Sequence, residues 1–111
     1  MYDQSVNANG LKWTETELTG VAYKLLSTDP DTGAHLMLYR FAPGSVVPQH
    51  SHTHAAETAY VLEGEFIEDN KVYGPGQSFY AQPGVPHGPH RTDKGSLVLF
   101  QLSAPLDFNV I

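Results

Sequence analysis

The sequence predicts a single all-β domain, and three observations carry that prediction. No segment sustains the 3.6-residue periodicity of a helix, and turn-forming Gly, Pro, Asn and Asp residues recur about every ten residues. Between them stand short apolar runs rich in Val, Leu, Tyr and Phe, which favour β-structure. With 111 residues the chain has the length of one domain with a real hydrophobic core.

The first half of the chain predicts an arm followed by a hairpin. Residues 1–10 are polar and are expected to form a loose N-terminal arm. A strand is predicted over Gly20–Leu26, and Ala34–Phe41 is predicted to be its hairpin partner. The Asp, Pro and Gly residues of Ser27–Gly33 are typical of the turn between them.

The second half predicts a longer strand and several short ones. Glu57–Ile67 is the longest β-run, and Gly64 interrupts it as a turn or bulge would. Asp69–Asn70 is expected to form a tight turn. The remaining segments are the extended residues Ser45–His52, the strands Gln77–Ala81 and Ser96–Leu102, and the rigid, Pro-rich loop Gln82–His90. Five aromatic residues are predicted to fill the barrel interior: Tyr60, Phe66, Phe79, Tyr80 and Phe100.

Composition excludes several classes of function. The formal net charge is -6 and no Lys/Arg cluster occurs, which argues against nucleic acid and anionic lipid as partners. The absence of Cys excludes disulfides, thiolate ligands and a cysteine nucleophile. The polar N-terminus lacks the apolar core of a signal peptide, and no apolar run reaches the ~18 residues of a membrane span. A cytoplasmic location is therefore expected.

The histidines carry the strongest functional signal. His50 and His52 are two residues apart, so on a strand their side chains project from the same face. Glu57 follows after a short loop, and His87 lies 30 residues further on, in the Pro-rich loop. Such a set of nitrogen and oxygen donors suits Fe(II), Mn, Ni, Cu or Zn without choosing among them. An isolated His-x-His pair, by contrast, is more often a surface feature than a metal site.

The spacing around these residues resembles the first motif of the cupin superfamily, G-x5-H-x-H-x3,4-E-x6-G. Here the motif extends over residues 44–64, from Gly44 through His50, His52 and Glu57 to Gly64. The second motif, G-x5-P-x-G-x2-H-x3-N, matches residues 76–91 around His87. Two positions depart from it: Gln82 stands for the Pro and Arg91 for the Asn. The Asn position is structural in the family.

The resemblance implies a fold and a ligand set. The fold is the double-stranded β-helix, or jelly-roll barrel, as one domain over residues 1–111. The implied ligands of one divalent metal ion are His50, His52, Glu57 and His87, which line the barrel interior.

Longer stretches of the chain, such as "YGPGQSFYAQPGVPHGP", are similar to one branch of the superfamily. That branch contains the cupin domain of zinc-dependent anti-sigma factors. It also contains small dioxygenases that cleave carbon–carbon bonds in diketones and hydroxyacetophenones. Several of these dioxygenases bind iron through three His without a Glu, which leaves open whether Glu57 is a ligand here.

Two histidines in the motif regions remain unassigned. His54 lies in the variable loop between His52 and Glu57. It is a candidate to replace Glu57 as a ligand or to act as a base beside the metal, although exposure to solvent is the better-favoured alternative for a loop residue. His90 is expected either to orient a substrate or to lie at the barrel rim. Both are carried forward as candidate catalytic residues.

The leading hypothesis is a mononuclear, Fe(II)-dependent dioxygenase acting on a small oxygenated organic molecule such as a diketone. One alternative is a metal-dependent isomerase or lyase of a sugar acid, in which His54 or His90 moves protons. A second is a non-enzymatic, zinc-holding sensor or interaction module. A homodimer is also expected, because such folds cover an exposed sheet edge or face with a second copy, and the N-terminal arm is a candidate for exchange.

Overall fold

All strand pairs in the protein are antiparallel, and the computed structural model describes residues 1–111. The only helical element is one 3-10 turn at Ala8–Gly10, and no helix has the length and apolar character that crossing a membrane requires. The strands are β1 (Thr14–Glu15), β2 (Val21–Thr28), β3 (His35–Phe41), β4 (Val46–Val47), β5 (His50–Ser51), β6 (Glu57–Gly64), β7 (Phe66–Glu68), β8 (Lys71–Tyr73), β9 (Ser78–Ala81), β10 (His90–Arg91), β11 (Ser96–Leu102) and β12 (Asn109–Val110).

Two sheets enclose the core. One has six strands in the order β1-β2-β3-β11-β6-β9, and the other has four in the order β4-β10-β7-β8. Strands β12 and β5 form a separate two-stranded pair. This is the jelly-roll arrangement predicted from the sequence, and the predicted fold class is confirmed.

The predicted turns follow from residues that tolerate unusual backbone angles. Strands β2 and β3 pair from Val21 opposite Phe41 to Thr28 opposite His35, as the predicted hairpin requires. The turn between β7 and β8 places Asp69 at φ 49° and Asn70 at φ 65°. Positive φ at both central residues defines the hairpin turn that matches strand twist, and Asp and Asn are among the residues that accept it.

The core lies between the two sheets. Phe41 and Val98 of the six-stranded sheet pack in one cluster with Val47 and Phe66 of the four-stranded sheet. The rings of Phe41 and Phe66 have centroids 5.0 Å apart, which is a normal aromatic packing distance. Phe100 is buried in the same cluster and Phe79 packs against it, as predicted.

Two of the five aromatic residues predicted to fill the core do not do so. Tyr60 is 46% exposed and Tyr80 is 61% exposed, so both lie on the outer face of the six-stranded sheet. On β6 it is Ala59 and Val61 that are buried, and strand alternation then turns Tyr60 outward. The outer face of this sheet therefore carries large apolar side chains.

The N-terminal segment lies against its own chain. The side-chain amide of Gln4 accepts a hydrogen bond from the backbone N–H of Thr28 at 2.9 Å and donates one to its carbonyl at 2.5 Å. The Lys24 ammonium donates to the carbonyl of Ala8 at 2.7 Å. Strand β2 thus holds residues that the sequence predicts as a loose arm.

Candidate metal centre

Three histidines from two distant parts of the chain converge at one point. His50 lies on β5, His52 follows it, and His87 lies in the loop before β10. The backbone N–H of each of His50 and His87 donates to the carbonyl of the other at 2.9 Å. The three imidazoles offer nitrogen atoms that all lie within 4.8 Å of one another, a separation that lets one metal ion contact all three.

Each imidazole is held by a backbone carbonyl through its Nδ1 atom. The distances are 2.7 Å from His50 to Pro48, 2.6 Å from His52 to Asp107 and 3.1 Å from His87 to Val85. A carbonyl oxygen only accepts hydrogen bonds, so each Nδ1 carries the proton and each Nε2 keeps a free lone pair.

The free lone pairs have no other partner in two of the three rings. The Nε2 atoms of His52 and His87 are buried and accept no hydrogen bond. A buried polar atom without a partner costs free energy, unless something outside the protein satisfies it. Neutral imidazoles oriented by Nδ1 contacts are the usual ligands of divalent metals, so these residues fit a metal ion.

Glu57 stands beside this group at the start of β6. Its Oε1 lies 3.5 Å from Nε2 of His52, and its Oε2 lies 3.4 Å from Nε2 of His87. Two atoms that each bind one ion at ~2.1 Å are about 3.0 to 3.4 Å apart at ordinary bond angles. The mutually close set consists of the three imidazoles alone, and Glu57 approaches two of them.

The electrostatics of the site differ from one titratable group to the next. Burial lowers the pKa of His50 to about 4, which leaves that ring neutral at physiological pH. Burial acts against the charged form of His52, but the Glu57 carboxylate and the Asp107 carbonyl raise its pKa overall. Burial would likewise raise the pKa of Glu57, yet the neighbouring imidazoles of His52 and His87 lower it, so the carboxyl is ionised.

The two remaining candidate residues occupy different environments. His54 is exposed in the loop before β6 and is not part of the cluster. His90 is buried on β10, where its ring stacks on Phe66 with centroids 4.5 Å apart. Its Nε2 lies 2.6 Å from Oε1 of Glu68, which fixes the ring orientation. The ring centroid of His90 is 5.7 Å from that of His87.

Sequence patterns alone do not reveal the role of the C-terminal segment. Strand β12 pairs with β5, so the segment adds a strand beside His50. The ring of Phe108 stacks on His50 with centroids 4.2 Å apart and an interplanar angle of 24°. The pairing of Glu68 with His90 was also missed, because it depends on β7 lying beside β10.

A cavity of about 460 Å³ opens beside the imidazoles, within the size range of small-molecule sites. Most of its lining is apolar, including Phe41, Phe66, Phe100 and Phe108. Tyr23 and Tyr39 line it with their hydroxyl-bearing rings, the other polar side chains that reach it are His50, His52, Glu57, His90, Thr16 and Glu17, and no Lys or Arg does so. Arg40 is exposed and outside the cavity lining, and its guanidinium carbon lies 4.5 Å from the ring centre of Trp13.

Comparison with known proteins agrees on the fold. The family described as the ChrR cupin-like domain matches residues 1–107. KdgF from Halomonas sp. is similar in structure, with a TM-score of 0.78, 24% identity and coverage of 89% of this chain and 93% of that chain. An acetylacetone dioxygenase from Acinetobacter johnsonii has a TM-score of 0.76 and 16% identity, covering 97% and 77% of the two chains.

The anti-sigma factor ChrR, solved in complex with Rhodobacter sphaeroides SigE, is similar over 87% of this chain with a TM-score of 0.68 and 23% identity. This chain covers 50% of that protein. No protein of curated function matches the sequence. At these identities the solved structures establish a shared fold and leave the reaction open.

Proposed function

This chain belongs to the ChrR cupin-like domain family, and from that premise we propose that it is a mononuclear metal-dependent dioxygenase of a small oxygenated organic molecule such as a diketone. The observation that carries the proposal is the convergence of the His50, His52 and His87 imidazoles beside an apolar cavity that His50 and His52 line. A catalytic site needs both a place for a metal and room for a substrate beside it.

The proposed ligands are His50, His52 and His87, with Glu57 as the fourth. Fe(II) is the favoured ion for this donor set, and Zn, Mn, Ni and Cu suit it as well. A bound divalent ion would polarise substrate oxygens as a Lewis acid and, as Fe(II), supply oxygen chemistry. The chain itself orients the imidazoles and borders the site with the largely apolar wall of the cavity.

The cavity favours a neutral substrate. A sugar acid presents a carboxylate and several hydroxyl groups, and a site for it would be expected to supply cationic and hydrogen-bonding side chains. The cavity wall has no cationic Lys or Arg and is predominantly apolar. A diketone or an aromatic hydroxyketone has two neighbouring oxygens and an otherwise apolar body, which suits this lining better than a sugar acid does.

His90 is the proposed substrate-orienting residue. It lines the cavity, whereas His54 is exposed and does not. The contact between its Nε2 and the Glu68 carboxylate holds the ring in one orientation.

Oxygen consumption tests the proposal directly. The protein is purified without added metal or chelator, its metal content is measured, and it is then reconstituted anaerobically with Fe(II) or with Zn(II). We expect the Fe(II) protein, presented with diketones and hydroxyacetophenones, to consume dioxygen in proportion to substrate lost, and the Zn(II) protein and His87→Ala to consume none. Turnover without oxygen uptake would establish the isomerase or lyase alternative.

The non-enzymatic alternative has its own signature in the same experiment. Tightly held zinc, no turnover of any substrate and no ligand binding in the cavity would identify a sensor or interaction module. The solved complex of ChrR with SigE makes this the second candidate function. The apolar cavity beside the imidazoles is the observation that favours an enzyme over this alternative.

We further propose that the chain forms a homodimer through the outer face of its six-stranded sheet. Tyr60, Leu62 and Tyr80 are 46%, 39% and 61% exposed there, and antiparallel sheets of two protomers can pack face to face. Light scattering is expected to give twice the 12.2 kDa mass of one chain. Tyr80→Glu should shift the mass towards the monomer, whereas Val72→Glu, at an exposed position on β8 of the four-stranded sheet, should not. A monomeric wild-type protein at high concentration would exclude the dimer.

A further inference from the structure

The C-terminal segment 106–110 contacts the candidate metal centre more closely than a trailing end would. It supplies one edge partner for β5, the strand that carries His50. On the other side of β5, the backbone of His50 pairs with that of His87. The strand is thus held from both sides, by the loop that carries one ligand and by the C-terminal segment.

Asp107 acts on His52 in two ways. Its backbone carbonyl accepts the hydrogen bond from Nδ1 of His52 at 2.6 Å. Its carboxylate accepts hydrogen bonds from the backbone N–H groups of Thr53 at 2.6 Å and His54 at 3.3 Å. The side chain therefore ties the segment to the loop directly after His52, and this tie holds the carbonyl against the ring.

Phe108 acts on His50. Its ring lies nearly parallel to the imidazole at a centroid distance of 4.2 Å, while Nδ1 of the same imidazole is held by Pro48. The hydrogen bond alone would let the imidazole turn about its Nδ1 contact, and the aromatic stack restricts that rotation. Phe108 also lines the cavity, so it borders the space in which a substrate would bind.

We infer that Asp107 and Phe108 are positioning residues of the metal centre, which aim the Nε2 atoms of His52 and His50 at a shared ion. The inference rests on the proposed metal centre. It goes beyond family membership for Phe108, because the family match ends at residue 107. Partners that orient metal-binding imidazoles in this manner change metal affinity by about 10- to 100-fold when they are removed.

Co(II) is the probe that tests the inference, because its visible absorption reports coordination geometry as well as binding. The dissociation constant is measured by competition with a chromophoric chelator. We expect Asp107→Ala to raise it about 10- to 100-fold. Phe108→Ala should alter the shape and intensity of the absorption bands and speed the release of metal to excess chelator. Asp107→Asn should keep most of the Co(II) affinity, because its amide oxygen still accepts from Thr53. Phe108→Tyr should keep most of the wild-type absorption bands and release rate.

Two matched controls separate positioning from general stability. Asp93→Ala removes an exposed carboxylate of the same charge, and Ile111→Ala removes an exposed apolar side chain directly after the segment. Both should leave affinity and spectrum unchanged. If Asp107→Ala fails to fold, Phe108→Ala carries the test, because it removes no hydrogen bond.

The outcomes distinguish the two proposals. Failure of the wild-type protein to bind Co(II) would remove the metal centre itself. If the wild type binds Co(II) and the folded Asp107→Ala and Phe108→Ala variants bind it with the same affinity and spectrum, the positioning role alone is overturned. A drop in melting temperature with unchanged metal binding would also overturn it, since that is the pattern of a merely structural contact.

Discussion

His52→Ala is expected to abolish tight binding of a divalent metal. The substitution removes one of three imidazoles, and with it one of the two buried Nε2 atoms that accept no hydrogen bond. Structural metal sites with four ligands bind with roughly 10 to 16 kcal/mol, so each ligand contributes about 3 kcal/mol, or more than a hundredfold in affinity. Metal content after purification and chelator competition with Zn(II) both measure the effect.

The sequence offers a matched control two residues away. His54→Ala also removes an imidazole from the same loop region, but His54 is exposed and lies outside the cluster. The metal affinity of this variant should therefore equal that of the wild type. Glu57→Ala is expected to have an intermediate effect. If His52→Ala retained wild-type affinity, or if His54→Ala lost it, the ligand set would be wrong.

Gly64→Ala is expected to have the largest effect on stability. Gly64 ends β6 at φ 75°, where an L-residue with a side chain is strained by about 1 to 2 kcal/mol. An added Cβ would also overlap the carbonyl oxygen of Gly95 and lie 2.8 Å from Cα of Ser96. Because both neighbours are backbone, they cannot rotate away. We expect the free energy of unfolding to fall by about 3 kcal/mol or more, measured by urea denaturation.

Gly44→Ala separates the two causes. Gly44 has φ 82°, but a Cβ there would meet nothing within 4 Å. Its cost should therefore be the backbone strain alone, about 1 to 2 kcal/mol. Equal losses of unfolding free energy in Gly64→Ala and Gly44→Ala would mean that the close approach of Gly95 adds nothing to the cost of a side chain at Gly64.

The sequence predicted the fold class and the shared face of His50 and His52 because both depend on local spacing. His50 and His52 share a face by strand alternation. The matching of His87 to them needed the family motif, since no local rule relates residues 35 or more positions apart. The tight turn at Asp69–Asn70, in contrast, could be predicted from its own two residues, because it depends only on which residues accept positive φ.

Strand alternation, rather than side-chain size, decides which residues of β6 face the core. Glu57 faces inward at the start of β6, and residues two and four positions further on must face the same way. Those residues are Ala59 and Val61, so Tyr60 has to lie outside. An inward-facing Glu57 therefore requires an outward-facing Tyr60, whatever the size of the tyrosine ring.

The contacts of Asp107 and Glu68 could not be predicted from spacing. Asp107 reaches His52 across 55 positions through a backbone carbonyl, and any residue type offers such a carbonyl. Glu68 meets His90 because β7 and β10 are neighbours in the four-stranded sheet. Both contacts depend on strand order, which follows from the packing of the whole chain.

The carbonyl contacts of the three imidazoles would orient the rings before a metal ion binds. Main-chain oxygens of Pro48, Val85 and Asp107, which lie in the segments between strands, aim the rings. If the proposed metal centre is correct, we expect metal to bind and dissociate reversibly while the chain stays folded. The ion would add stability only by mass action, growing with the logarithm of its free concentration, and a chelator would strip the protein without denaturing it.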